Sequence, residues 1–225
     1  MANIPTIITI DGPVASGKST VGFLFSQKIN YQFIDAGWFY RAVTYLVIKD
    51  GLDINDDKQN EQILNTLDIQ FVVEGKEVNV YLNGQNLTNE LRTHEINTNV
   101  AIIGTKKKAL DAIHKIERKF AEGKNTVMSG REIGTIVFPD AKLKFYMDAP
   151  VEERAARRFE QHKIKESNIT LEDVSNEVIE RDKMDMEREF SPLAIPQDAI
   201  IIQNWGKTYE ETVEEMFGYY QKTII

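Results

Sequence analysis

The 225-residue sequence predicts an α/β fold, a parallel sheet flanked by helices, with a small antiparallel insert. Three observations predict it. The opening stretch alternates strand and helix patterns. A glycine-rich turn sits at the first strand-to-helix junction. Two β-branched runs in the middle of the chain flank a short polar turn, which reads as local antiparallel pairing.

The elements follow in order. Thr6–Ile10 is a short β-branched apolar run stopped by Asp11-Gly12-Pro13, hence a buried strand and a turn. Lys18–Asn30 repeats apolar residues at helical spacing, at Val21, Leu24, Phe25 and Ile29. Phe33-Ile34 is a second strand ending at Asp35-Ala36-Gly37, and Trp38–Lys49 is helical up to Asp50-Gly51. Ile69–Val73 and Val78–Leu82 flank Glu74-Gly75-Lys76-Glu77 as a hairpin, with room for a short strand after Asn83-Gly84. Thr98–Glu122 is helical with a break near Gly104. Asn125–Met128 and Leu143–Met147 are strands, and Glu152–Gln161 and Leu171–Arg188 are helices. Thr170 and Asp173 form a capping box for the second of these helices. His162–Asn168 reads as a mobile polar loop. Ala199–Ile202 is a last strand, and Thr208 caps a closing helix.

Composition narrows the function classes. Hydrophobic residues are 42% and charged residues 28%, ordinary for a globular protein, which excludes wholesale disorder, collagen and a disulfide mini-scaffold. There is no cysteine, so disulfides, thiolate metal sites and a cysteine nucleophile are excluded, as fits a reducing compartment. The net charge of −8, from 35 acids against 27 bases, argues against broad nucleic-acid binding but permits local basic clusters around a small anion. No apolar run approaches the ~18 residues that span a bilayer. The N-terminal MANIPTIITIDG reads as a strand, not a signal peptide. A cytoplasmic protein with no nucleic-acid or membrane partner is expected, a monomer organised as one domain over 1–225. Its core is expected at about 1–60 and 100–225, with an insert at about 61–99 and a lid at about 152–170.

Gly12-Pro13-Val14-Ala15-Ser16-Gly17-Lys18-Ser19 fits G-x-x-x-x-G-K-S/T. Backbone N–H groups of such a loop surround nucleotide phosphates, and the following helix N-terminus adds its positive end. Lys18 reaches the β- and γ-phosphates and Ser19 ligates Mg²⁺ in this reading. A tight turn that uses Gly12 and Gly17 for backbone geometry alone is the bland alternative.

Phosphoryl transfer needs cations around the moving group. Asp35 ends the second strand, Gly37 follows it, and Arg41 lies one turn into the next helix. Arg131 and Glu132 follow another strand, where open α/β sheets bind ligands. Arg181, Asp185 and Arg188 share one helix face by spacing, which suits either a site or a solvated row of i,i+4 ion pairs. Arg154, Arg157 and Arg158 read either as arginines on a closing lid or as a solvated basic face. Asp35, Glu132 and Asp11 are the candidate carboxylates beside Mg²⁺. His94, His114 and His162 lack metal-ligand spacing, and Lys106-Lys107-Lys108 reads as a solvated helix start.

Taken together, these residues place the chain in a recognisable family: it resembles bacterial cytidylate kinases, P-loop NTPases that phosphorylate CMP and dCMP. The resemblance rests on ITIDGP and SGKST within 8–20, D-x-G-x-x-Y-R at 35–41, LRTHEI at 91–96, SGREIGTIVFPDA at 129–141, DAPVEERAARR at 148–158 and ERDKMDMEREFSPL at 180–193. It implies an adenylate-kinase-like core with a lid, an insert that helps bind the nucleoside monophosphate, and ATP with Mg²⁺ as donor. It implies that Gly12 through Thr20, with Lys18 and Ser19, hold the donor phosphates and metal. It implies that Arg41, Arg131 and Arg188 surround the acceptor and transferred phosphates, that Arg181 and Asp185 belong to the acceptor site, and that Arg154, Arg157 and Arg158 are lid arginines.

The departures concentrate in the acceptor site. Ala36 stands where the family usually has serine, and Ser129 and Glu132 stand where it has aspartates. Ala101 and Leu110 align with a serine and an arginine that read cytosine, Lys107 or Lys108 being possible substitutes, and Val14 is bulky for its loop position. A base-reading site discriminates through buried polar groups, so this one is thinned. The expected function is ATP-dependent phosphorylation of CMP or dCMP. The alternatives are a P-loop kinase of another nucleotide or small-molecule acceptor, and a non-catalytic nucleotide-binding protein.

Overall fold

The computed structural model describes residues 5–51, 56, 58, 67–74, 77–163 and 169–225. The chain divides into two compact units. The first comprises Met1–Asp35, Phe120–Glu187 and Ser191–Ile225, and the second Ala36–Lys119 and Arg188–Phe190.

The first unit is built on a five-stranded parallel sheet in the order β2-β6-β1-β7-β8. Its strands are β1 (Ile7–Asp11), β2 (Gln32–Asp35), β6 (Thr126–Gly130), β7 (Leu143–Asp148) and β8 (Ile200–Gln203). Strand β1 is central, which is why its apolar run is continuous rather than alternating. Helices α1 (Lys18–Lys28) and α7 (Tyr209–Thr223) pack together over this sheet. Val21 and Phe25 of α1 and Val213, Met216 and Tyr220 of α7 close a core with Ile8, Ile10, Val127, Phe145, Met147 and Ile202. Phe25 meets Phe145 and Tyr220 edge-on at 5.9 and 6.1 Å, the geometry aromatic quadrupoles favour. Helices α5 (Val151–Lys163) and α6 (Leu171–Glu187) pack against each other.

Both expected helix starts carry their caps. The Thr170 and Asp173 side chains exchange bonds with each other's backbone N–H at 3.1 Å. Thr208 accepts from Glu211 N at 3.1 Å while Glu211 accepts from Thr208 N at 2.7 Å. Two short elements escaped the sequence reading, a 3₁₀ turn at Glu90–Arg92 and a π-helical turn. Ile133–Val137 forms a π-helical turn, closed by Phe138 N to Ile133 O at 2.7 Å.

The second unit holds α2 (Gly37–Lys49), an antiparallel sheet β3-β4-β5, a 3₁₀ turn at Glu90–Arg92, and helix α3 (His94–Ile103). Strands β3 (Ile69–Glu74) and β4 (Glu77–Leu82) pair as expected, and β5 is the short Gln85–Asn86. Gly75 and Lys76 of the expected turn lie outside the described residues, as do 164–168 of the expected polar loop. Helix α4 (Lys107–Ala121) begins in this unit. The break expected near Gly104 separates α3 from α4 at 104–106, where the amides of Gly104, Thr105 and Lys106 bond back to the carbonyls of Val100, Ile102 and Ile103. Phe39 and Phe71 join α2 to β3, edge-on at 5.4 Å. Among the described residues no helix is long and apolar enough to cross a membrane.

Candidate active site

The loop between β1 and α1 takes its shape from three residues with positive φ: Gly12 at 149°, Ala15 at 57° and Gly17 at 94°. Both glycines are required by close approach. A Cβ on Gly12 would lie 2.1 Å from the Met147 carbonyl oxygen of β7, and one on Gly17 would lie 2.3 Å from the Asn204 side-chain nitrogen. Turns that alternate helical hand aim successive N–H groups into one concavity, an anion nest.

Lys18 opens α1 and is only 6% exposed. Its ammonium donates to Pro13 O at 2.6 Å and to Ser16 Oγ at 3.2 Å. Burial pushes its pKa well below the usual lysine range, Arg131 pushes the same way, and Asp35, Asp11 and Asp185 oppose. A cation so stripped of water gains much from an arriving phosphate. Ser19 Oγ donates to Asp35 Oδ2 at 2.6 Å. This hydroxyl and carboxylate are hard oxygen donors at the mouth of the loop, the chemistry that suits a divalent cation shared with phosphate oxygens. Thr20 is exposed on the same turn.

Of the three candidate carboxylates, Asp11 has a different role. Its two oxygens accept Ile133 N at 2.9 Å and Gly134 N at 2.7 Å, tying the end of β1 to the π-helical turn. Burial raises its pKa to about 6, against the pull of those two N–H groups. Glu132, just ahead of that turn, is buried too, and its carbonyl closes the turn's first bonds.

Arg131 leaves the end of β6 and its Nε donates to Asp185 Oδ2 at 2.9 Å. From α6, Arg181 Nε bonds both oxygens of the same carboxylate at 3.2 Å. The i,i+4 pair is therefore present, but not on a solvated face: Asp185 is 3% exposed and holds a third group from a different element. Burial works against the Arg131 charge, yet Asp185, Asp182 and Asp35 outweigh it and raise its pKa. Two guanidiniums on one carboxylate leave a net positive cluster.

The α5 arginines are packed rather than splayed. Arg154 is buried, with Nε donating to Ala149 O at 2.8 Å and Nη1 to Val14 O at 3.0 Å, and it pairs with Asp182 at 2.6 Å. Arg157 donates to Ser16 O at 3.3 Å and to Asn204 O. Arg158 pairs with Glu177 at 3.3 Å. Two residues missed from sequence stand out here. Asp182 Oδ1 accepts Val14 N at 3.1 Å, and Asn204 donates to Ser16 O at 2.7 Å. The position of Asn204, just beyond the carboxyl end of β8, was the available signal. Nothing in the helical pattern distinguishes Asp182 from its neighbours.

Gly37, Arg41 and Arg188 fall in the second unit. Arg41 donates to Asn97 Oδ1 at 3.3–3.4 Å and lies 5.8 Å from the Trp38 ring, over which Arg92 stacks at 4.8 Å. Arg188 donates to Gly104 O at 3.4 Å. Ala36, Ala101 and Leu110 are buried there. Lys107 pairs with Asp111 at 2.8 Å on an exposed helix face, as its solvated reading expects.

Comparison with known proteins bears on this geometry. The family model described as cytidylate kinase matches residues 8–222. A cytidylate kinase of Clostridioides difficile (strain 630) is 40% identical over 210 residues, covering 93% of this chain and 95% of that protein. One from Caldanaerobacter subterraneus subsp. tengcongensis is 37% identical over 222 residues, covering 99% and 97%. Among solved structures, a shikimate kinase from Bacteroides thetaiotaomicron aligns over 96% of this chain and 98% of its own at a TM-score of 0.50 and 11% identity, a likeness of fold alone. Such a kinase takes its phosphoryl group from ATP with a divalent metal and passes it to a nucleoside monophosphate. The chain belongs to the cytidylate kinase family of P-loop phosphotransferases.

Proposed function

We propose that this protein transfers the γ-phosphoryl group of ATP, with Mg²⁺, to CMP or dCMP. The observation that carries the reading is the cluster of Arg131 and Arg181 on the buried Asp185 carboxylate, in the same unit as Lys18, Ser19 and Asp35. It supplies cations without an enzyme nucleophile, which is what in-line phosphoryl transfer needs.

Each residue then has a task. The loop 12–20 binds the donor phosphates through its N–H groups and the end of α1. Lys18 turns from Pro13 O toward the β- and γ-phosphates and offsets charge on the moving group. Ser19 and Asp35 hold the Mg²⁺, which when bound neutralises phosphate charge and helps align the transfer. Arg131 and Arg181, fixed by Asp185, steady the acceptor phosphate, while Glu132 serves the ribose. The roles of Gly37, Arg41 and Arg188 as acceptor-side residues, and of Arg158 as a lid arginine, rest on the family resemblance. One chain supplies all of these groups, so a monomer working in the cytoplasm suffices, as one domain with a lid near 152–170.

Buried Ala36, Ala101 and Leu110 favour a second reading, in which the acceptor carries a different base. A coupled ADP-release assay with ATP, Mg²⁺ and CMP, dCMP, UMP, dUMP, AMP and GMP separates the two. CMP or dCMP is expected to give the highest kcat/KM. A panel led by another nucleotide would overturn the cytosine assignment, and a silent panel the kinase assignment.

A further inference from the structure

The loop's carbonyl groups are as organised as its amides. Pro13 O accepts Lys18 Nζ at 2.6 Å, Val14 O accepts Arg154 Nη1 at 3.0 Å, and Ser16 O accepts Asn204 Nδ2 at 2.7 Å and Arg157 Nη1 at 3.3 Å. In a trans peptide the carbonyl of one residue and the N–H of the next point in opposite directions. Holding Val14 O and Ser16 O outward therefore turns the N–H groups of Ala15 and Gly17 the other way. Those two residues carry the positive φ values of the nest.

One ion pair does most of the holding at Val14. Asp182 of α6 accepts the Val14 N–H on Oδ1 at 3.1 Å and pairs through Oδ2 with Arg154 at 2.6 Å. Arg154, from α5, donates in turn to Val14 O. Both backbone groups of one loop residue are thus gripped by a single pair, with Arg154 4% and Asp182 7% exposed. A guanidinium this enclosed, with donors also committed to Ala149 O, is built into the scaffold.

We propose that Asp182 is a positioning residue of the donor site, acting with Arg154 as a buried clamp that sets the loop's N–H groups for the phosphates. This rests on the donor-loop reading above and reassigns Arg154 from the lid to the loop's support. Arg157, on Ser16 O and Asn204 O, is a second clasp of the same kind.

Isothermal titration tests it, with ATP·Mg²⁺ alone and CMP alone, on the wild type and on Asp182→Asn, Asp182→Ala, Arg154→Met and the Asp182→Asn/Arg154→Met double variant. Asp182→Ala is expected to weaken ATP about tenfold or more, since small misplacements of a site are magnified in its function. Asp182→Asn, which still offers an oxygen to Val14 N–H, weakens ATP less. CMP affinity falls much less than ATP affinity in each, the residual effect coming from the charge Asp182 places near Arg131. The double variant is expected to bind ATP no worse than Arg154→Met, because both changes remove the same clamp. Equal loss of ATP and CMP would overturn the proposal, as a general loosening of the fold. Multiplying single effects would also overturn it, by making Arg154 a direct phosphate ligand. Should Asp182→Ala not fold, Asp182→Asn and Arg154→Met carry the same comparison. A wild type that binds no ATP would instead overturn the donor-loop reading, taking the clamp with it.

Discussion

Lys18→Met is expected to raise the melting temperature of the ligand-free protein while removing phosphoryl transfer. The ammonium is buried, and its lowered pKa means the fold favours the neutral amine. Stability from such a group is fully present above the unfolded lysine pKa and is lost as pH falls through the folded value. At neutral pH the fold therefore carries a cost from this side chain. Methionine has a similar reach and no charge. The change forfeits the bonds to Pro13 O at 2.6 Å and Ser16 Oγ at 3.2 Å, worth about 1.5–3 kcal/mol together with their stranded acceptors. It also removes a desolvation penalty of several kcal/mol. The difference is about 1–2 kcal/mol in favour of methionine, and roughly 2–8 °C in melting temperature for a chain of this size. Loss of one preorganised cation lowers kcat by at least roughly 100-fold. Differential scanning calorimetry at neutral pH, with and without ATP, checks both halves beside the coupled assay. The stability gap to wild type should narrow as pH rises and the wild-type amine is no longer charged. A variant that melts well below wild type would refute the claim that the ammonium is a net cost, and near-normal turnover would refute its role in transfer.

Three further outcomes are expected. Gly12→Ala should cost about 3 kcal/mol or more, because its Cβ meets backbone at 2.1 Å, whereas Gly123→Ala, at φ 73° with open space around it, should cost about 1 kcal/mol; equal melting temperatures would sink this. Asp11 has its pKa raised to about 6 from 3.8, so its contribution to stability is present below pH 4 and is lost as pH rises through 6. Asp11→Asn should accordingly gain on wild type by about 2–2.5 kcal/mol between pH 4 and pH 8, measured by urea unfolding, and a constant or opposite difference would contradict the assignment. Thr208→Ala removes the capping box on α7 and should lower stability by about 1 kcal/mol with kcat unchanged, a melting shift of roughly 2–4 °C.

Much of the fold could be read from local pattern. Strand β1 announced itself by a β-branched run ending at Asp11-Gly12, and α7 by Thr208 with Glu211 three residues on. The break at 104–106 was visible as a glycine in a helical pattern. The π-helical turn at Ile133–Val137 was not, because it is set by the Asp11 carboxylate receiving two of its N–H groups from more than a hundred residues away in sequence. No local periodicity encodes such a partner.

The donor site divides in the same way. The motif from Gly12 to Ser19, the strand before it and the helix after it are contiguous, so the sequence alone was enough to propose a phosphate-binding loop here, with Lys18 and Ser19 serving it. The family motifs likewise marked Arg131, Arg181 and Asp185. Tertiary structure decided what those charges do. Spacing left Arg181 and Asp185 balanced between a solvated ion pair and a site, and the arrival of Arg131 from β6 on a buried carboxylate settled their surroundings. It also turned Arg154 and Arg157 inward onto the loop's carbonyls and revealed Asp182 and Asn204 as its supports. Helix periodicity tells which residues share a face. Only packing tells whether that face meets water or a buried partner, and the energy of a charge depends on that difference.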